Sequence, residues 1–449
     1  MNRKDFSGPI DALIRRSEAD YTIVSASRSY RKVLRFSDFR VKQSLSDDII
    51  GVSIKAICGN RAGAAVAGSL EASELGSALK DAIDIACSSK PDKSVIPPSR
   101  NGVSQTSPSV FCPITDKFSI AEAFSAVSGI FDMARRAGVN IAGTLIFGGD
   151  EELVMDSGGF EVFRPSTISS LKLIATSADG GSAHSCRVTR DISDIDIAAE
   201  TDRCIKRSCE ARSPRAIDPG LYECILRPEA VGELMSWLSY TAFGAGQLYD
   251  GTSFIKGRIG KKVMDEKLTI YDDGKDSGTL VSDFDCEGVS KKKTYFVRNG
   301  IAAGFAYDTY YGNMYGLGST GHAVSLYSSA GPMPSNIIIE SGNSSESDMV
   351  RSVKRGLLVN RFHYVNGLLD TRNALMTGLT RDGLFFIEDG KIKYPVRDLR
   401  FTDSIMDAFK RIGGISKERV LISDPAGDSM SVLTPSILVS GLRFTSNAG

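Results

Sequence analysis

The sequence predicts an α+β protein, with an N-terminal α/β-type domain of strands and two helices followed by a β-rich C-terminal domain with few helices. Three observations carry this expectation. Two N-terminal stretches place apolar residues at helical spacing, and short strand-like runs surround them. Beyond residue 213 the chain becomes a succession of short apolar runs broken by Gly, Asp and Asn.

In chain order, Phe6–Ala19 reads as a short amphipathic helix with Ser7 as a possible cap. Strands are expected from Tyr21, around Lys32–Phe39, Asp38–Leu45 and Ile49–Ile57, and from Arg61. Ala72–Ala86 carries Leu75, Leu79, Ala82, Ile83 and Ala86 on one helical stripe. Residues 88–110, rich in Ser, Pro, Lys and Asn, read as an exposed connection. A second helix follows over Ser119–Ala137, with Ile120, Phe124, Val127, Ile130 and Met133 as its buried stripe. Strands are then expected at Asn140–Phe147, Glu151–Asp156, Glu161–Phe163 and Ser169–Ser177, and a polar helical region at Ile192–Glu210. The order of strands and helices occurs twice, which hints at an internal duplication. The boundary falls in Arg212–Gly220, giving domains 1–212 and 213–449. The second domain opens with a strand at Leu221–Leu226 and a helix at 228–243. Its later strands are expected at Leu268–Tyr271, Thr294–Arg298, Ile301–Tyr307, Asn336–Glu340, Leu384–Glu388 and Lys391–Val396, its helices at Ser345–Leu357 and Ser404–Arg411. Asp389-Gly390 between two apolar runs is a hairpin signal.

Composition narrows the function. The chain has 449 residues, 42% hydrophobic and 24% charged, with Lys+Arg and Asp+Glu both 54. That balance offers no basic footprint for nucleic acid or an anionic membrane. The cluster Arg28, Arg31, Lys32 and Arg35 alternates with apolar residues and reads as the polar face of a strand. No apolar run approaches the ~20 residues that span a bilayer, and the first residues lack a signal-peptide core. Cytoplasm is the expected compartment, with the eight cysteines reduced. The only histidines are His184, His322 and His363, which makes a His-based zinc or Ser-His-Asp enzyme improbable. His184 and Cys186 lie close in sequence but are too little for a zinc site.

The run Pro228-Glu229-Ala230-Val231-Gly232-Glu233 has the spacing of a His-Glu-x-x-x-His metal helix with only the glutamate in place. Proline has no donor atom, and one carboxylate at Glu233 cannot hold zinc, which normally takes three protein ligands and a water. Glu229 would be the general base beside a zinc-bound water; as the residue after a Pro at a helix start, it has an ordinary structural explanation instead. His322, in a Gly- and Tyr-rich stretch, reads as a loop histidine, with a catalytic base as the sharper alternative. Asp272, Asp273, Asp285 and Glu287 could bind a cation through oxygen, although turn-forming Asp explains them as well. Tyr307, Tyr310, Tyr311 and Tyr315 could line a peptide groove or pack on the domain.

Several small motifs recur in fixed order in the C-terminal half: Gly251-Thr-Ser253 through Gly260, Leu268–Asp273, Phe284-Asp285-Cys286-Glu287-Gly288-Val289, Arg298-Asn299-Gly300, Gly318–Gly321, Pro334-Ser335-Asn336 and Lys354–Leu357. Together they resemble the TldD/PmbA family, long labelled modulators of DNA gyrase. The resemblance covers the C-terminal half well and the N-terminal half only in outline. It implies a heterodimeric zinc metallopeptidase acting on small, largely unfolded peptides, in which the TldD branch holds zinc through the His-Glu-x-x-x-His helix and a late cysteine. Here those helix positions are Pro228, Glu229 and Glu233, and the last cysteine is Cys286. The sequence therefore sides with the PmbA/TldE branch: no catalytic residue, no metal, no cofactor, and a TldD-like zinc peptidase subunit as partner. Ser253, Asp285, Glu287, Tyr310, His322 and Asn336 are the expected peptide or interface contacts. The alternative from another class is a stand-alone homodimeric peptide-binding or regulatory protein; a hydrolase built around His322 is a third.

Overall fold

A computed structural model of the protein describes residues 3–100, 110–327, 331–423 and 430–448. Part of the expected connection at 88–110 therefore lies outside the described residues. The N-terminal elements are α1 (Arg3–Ile14), β1 (Tyr21–Ser37), β2 (Arg40–Cys58), β3 (Arg61–Ala67), α2 (Ala72–Ser88), α3 (Pro113–Lys117), α4 (Ile120–Ala137), β4 (Asn140–Asp156), β5 (Glu161–Thr176), β6 (Ser182–Thr189) and α5 (Ile197–Glu210). The six strands form one antiparallel sheet in the order β3-β2-β1-β4-β5-β6. Its two halves repeat a pattern, with β1–β3 carrying α1 and α2 and β4–β6 carrying α4 and α5, and they meet at the central β1–β4 pair. The order expected to occur twice takes this form.

The strands are longer than the sequence suggests. The runs expected around 32–45 belong to the single pair β1 and β2, which runs from Tyr21↔Ile57, with one register shift between Arg35 and Phe36, to a two-residue turn at Asp38-Phe39. Both turn residues have positive φ, 51° and 56°, the conformation that favours Asn-Gly, so the usual sequence signal is missing. The polar middle of β1 is held by neighbouring acids: Arg28 donates to Asp48 at 2.7 Å and to Glu151 at 3.1 Å, and Arg31 to Asp150 at 2.9 Å. The basic cluster is thus the polar part of a strand, as its alternation implies. Similarly, β4 continues through Gly148-Gly149, where a reading by apolar runs breaks it. A Cβ on Gly148 would lie 2.1 Å from the Tyr30 carbonyl oxygen, so glycine permits the close approach of β1 without ending the strand. Helix α1 begins at Arg3 and ends at Ile14, earlier than expected, with Phe6, Ile10 and Leu13 as its buried stripe.

The second sheet has eleven strands: β7 (Leu221–Leu226), β8 (Ile270–Asp272), β9 (Thr294–Arg298), β10 (Ile301–Ala302), β11 (Asn336–Ile339), β12 (Arg355–Asp370), β13 (Leu375–Glu388), β14 (Lys391–Val396), β15 (Leu399–Ser404), β16 (Ile412–Ser423) and β17 (Ser431–Asn447). Five of them close a ring, β17-β15-β13-β12-β7 and back to β17, because β7 pairs with both β12 and β17. The helices are α6 (Pro228–Leu238), which runs into one π-turn at Ser239–Phe243, α7 (Ala245–Asp250), α8 (Thr309–Met314), α9 (Glu346–Ser352) and α10 (Ile405–Ala408). The expected hairpin at Asp389-Gly390 joins β13 to β14, with φ of 48° and 72° at its two residues. The largest apolar core gathers Leu226, Leu234, Val359, Phe362, Phe401, Val439 and Phe444.

Candidate functional site

Helix α6 is where the metal-helix spacing falls, and its two faces differ. Ala230, Val231, Leu234, Met235 and Leu238 are buried, and the helix packs on β12 and β17. Gly232 lets β16 come close; a Cβ there would meet Ile422 at 3.0–3.2 Å. The other face, with Glu229, Glu233, Ser236 and Trp237, lines a cavity of about 550 Å³ together with Tyr240 of the π-turn. The first sheet supplies Lys172, His184 and Cys186 to the same cavity, β12 supplies Arg361 and Phe362, and Met333 and Met430 complete the apolar part.

The site is held together across the two sheets. His184 Nδ1 lies 2.6 Å from Glu229 Oε2, and the other ring nitrogen is buried without a hydrogen-bond partner among the described residues. Ser182 hydrogen-bonds Asp382, which also takes Arg361 Nε at 2.7 Å. Burial pushes the Glu233 carboxyl above its usual pKa, opposed by Arg361, the Trp237 ring N–H and Lys172. Sequence reasoning set His184 aside beside Cys186; it expected no strand there, and neither β6 nor the carboxylate across the gap was visible. Trp237, Arg361 and Lys172 carried no motif.

The family's zinc does not fit these residues. Pro228 offers no donor, Glu229 is taken by His184, and Cys186 directs its Sγ toward the Ser423 carbonyl oxygen at 3.6 Å. Among the described residues no group of three or more His, Cys, Asp or Glu side chains could hold a metal ion.

The expected peptide or interface contacts lie elsewhere, and none lines this cavity. Ser253 is buried and donates to the Ala242 carbonyl oxygen at 2.7 Å. Tyr310 donates to Asp92 at 2.8 Å, tying α8 to the segment after α2. His322 is buried rather than exposed, 3.1 Å from Asp272 and 2.8 Å from the Thr320 hydroxyl. Asp272 accepts the backbone N–H groups of Ser335 and Asn336 at 2.9 and 2.6 Å, and Lys291 reaches the Asn336 side chain at 3.0 Å. Burial alone would raise the Asp272 pKa; Lys291, His322 and the amides outweigh it and hold the carboxyl well below its usual range.

The second acidic group is also internal. Asp285 accepts from the backbone of Glu287, Val289 and Ala323, and Glu287 accepts from Thr309 N at 3.0 Å and lies 3.5 Å from Lys55 of β2. Arg100 donates to the Glu287 carbonyl oxygen at 2.6 Å and pairs with Asp156 of β4. These acids thus bind backbone and basic side chains from the first sheet's side of the molecule. Their burial has a testable consequence. Asp308, which caps α8 through Tyr311 N at 2.8 Å, is pushed up to about 6 by burial and then by Glu287. A carboxyl raised in the folded state favours folding below its unfolded pKa and loses that contribution as pH rises through the folded value. Asp308→Asn keeps a capping oxygen, so it should melt near wild type at about pH 4 and a few degrees higher at about pH 7. A melting difference that does not change with pH would show that the Asp308 charge is not the cause.

An α+β fold with a helix of peptidase-type spacing beside a cavity, its two histidine positions held by Pro228 and Glu233 and its glutamate by Glu229, defines a metallopeptidase-related protein. The chain belongs to the PmbA/TldD family: residues 219–446, about half of it, match the family model described as the PmbA/TldA metallopeptidase C-terminal domain. An uncharacterized protein of Methanocaldococcus jannaschii is 28% identical over 265 residues, 57% of this chain and 60% of that protein. Metalloprotease PmbA of Escherichia coli O157:H7 is 25% identical over 241 residues, 53% of this chain and 50% of that one. The chain thus spans about half the length of curated relatives it matches. Over 98% of its length it superposes on all of the solved structure of TldE from Thermococcus kodakarensis, with a TM-score of 0.86 and 21% identity, a likeness of fold. No helix among the described residues is long and apolar enough to cross a membrane.

Proposed function

We propose that this chain is the PmbA/TldE-like, metal-free subunit of a TldD/TldE-type zinc metallopeptidase complex that degrades small unfolded peptides. The observation that carries the reading is the first turns of α6, where Pro228 and Glu233 stand at the histidine positions of the metal helix and Glu229 is committed to His184. Its role is to complete a chamber around the partner's zinc, restrict access to flexible peptides and stabilise the catalytic chain. In the same reading residues 1–212 and 213–449 are its two domains. On that reading its eight cysteines are reduced thiols in a cytoplasmic setting. Metal analysis of the purified chain tests the proposal directly. Zinc should stay far below one ion per chain after dialysis against micromolar zinc, and a stoichiometric, chelator-resistant ion would refute it.

A further inference from the structure

The cavity beside α6 has one charge without a counter-charge. Glu229 is held by His184, Arg361 by Asp382, and Lys172 is engaged in an interaction of its own. Glu233 has no ion-pair partner among the described residues; the ring N–H of Trp237, one helical turn on, is the donor beside it. Trp237, Tyr240, Phe362, Met333 and Met430 line the same cavity as this carboxyl. A carboxyl group among aromatic faces and thioethers is poorly solvated, and what compensates it best is a cation small enough to enter. The rings favour the same ligand, because a cation over an aromatic face is attracted by the ring quadrupole. The two existing cations of the wall, Arg361 and Lys172, each have an interaction of their own and act on Glu233 only through space, without an ion pair to it. A volume of about 550 Å³ holds a residue or two of peptide and no folded element.

We propose that this cavity is a binding subsite for a cationic nitrogen group on a peptide, an ammonium or a guanidinium, with Glu233 as its counter-charge and Trp237 and Tyr240 as its aromatic walls. The inference rests on the reading that the chain handles peptides. It adds a recognition role for the position where the metal helix has lost its second histidine.

Trp237 is the only tryptophan of the chain, so its intrinsic fluorescence reports on the cavity alone. The full chain is titrated with three probes: phenylalanyl-glycinamide with a free ammonium, its neutral N-acetyl form, and N-acetyl-arginine amide. Calorimetry on the same solutions provides a second readout. The cationic probes should give saturable changes, with the neutral form weaker by at least about tenfold. Glu233→Gln, shown by circular dichroism and melting to be folded, should lose that preference. Binding of the ammonium probe alone assigns the site to a peptide N-terminus, and binding of the arginine probe alone to a side chain. Equal binding of the neutral probe, or undiminished cation binding by Glu233→Gln, overturns the subsite and leaves peptide handling intact. If no probe binds, the subsite is excluded, while metal analysis and partner binding still decide the subunit reading separately.

Discussion

Co-expressed with a TldD-like chain, this protein should purify as a stoichiometric complex whose peptidase activity exceeds that of either chain alone by at least about a hundredfold. A bound zinc lowers the pKa of its water and polarises the scissile carbonyl, and nothing at Pro228, Glu229 or Glu233 can supply either effect. The isolated chain should therefore leave unfolded peptides intact, with zinc or without it. The partner would provide the metal, and this chain would provide the walls. The measurement is peptide hydrolysis by each chain and by the mixture, with the complex followed by size-exclusion chromatography. Failure of the two chains to associate, with this one eluting as a stable homodimer, would instead favour the stand-alone peptide-binding protein. Turnover by the isolated chain, abolished by His184→Ala and surviving chelator, would point to metal-free chemistry at the His184–Glu229 pair.

Asp272→Ala is expected to be the most destabilising single substitution outside the apolar core, by about 3–5 kcal/mol in urea denaturation. Asp272 is fully buried, faces His322 at 3.1 Å and takes two backbone N–H groups. Lys291, also buried, stands within the same network through Asn336 and Ser335. Removing the carboxylate leaves a buried ammonium without its counter-charge, the buried His322 ring without its neighbour, and two amides without an acceptor. The next residue is the control. Asp273 accepts the Lys275 N–H in a surface turn, so Asp273→Ala should cost no more than about 1 kcal/mol. If both variants unfold at nearly the same urea concentration, the network does not carry this stability. His322→Ala should fall between them, because it removes a base and leaves the Lys291 pairing in place.

The motifs of the C-terminal half were legible as a family because they are local strings with a fixed order. Their roles were not, because each finishes its hydrogen bonds on residues far away in sequence. Asp285 and Glu287 could be cation ligands or turn formers in one dimension; in three they bind the backbone at Val289, Ala323 and Thr309. His322 sits among glycines and tyrosines and reads as a loop histidine, exposed or hydrogen-bonded; the fold turns it inward, onto Asp272 and the Thr320 hydroxyl. The helices at 72–88 and 120–137 were read nearly to the residue, since their apolar stripes repeat every third or fourth position and Ser119 with Glu122 forms a capping box. The long strands were broken in reading at Gly148-Gly149, and those expected at 32–39 and 38–45 meet at the Asp38-Phe39 turn but were read far too short, because strand continuity depends on partners rather than on local pattern. The helix at Pro228 was legible, and so was the loss of its ligands. The cavity it faces was not, since His184 and Lys172 come from another sheet.

The ring closed by β17 sets a kinetic problem for this chain. Leu221 must find Arg443, and Leu226 must find Ile437, before β7 has its second neighbour. Contacts of such large sequence separation form late, because the loop-closure entropy is lost before the pairing energy is gained. Until then β7 presents an open edge of apolar residues, Cys224, Ile225 and Leu226, to any other unpaired strand. Refolding from denaturant should accordingly have a slow, concentration-sensitive phase dominated by the second sheet, with aggregation as its competitor. A closure of this kind makes the final strand a natural point of control over how much of the protein reaches its working form.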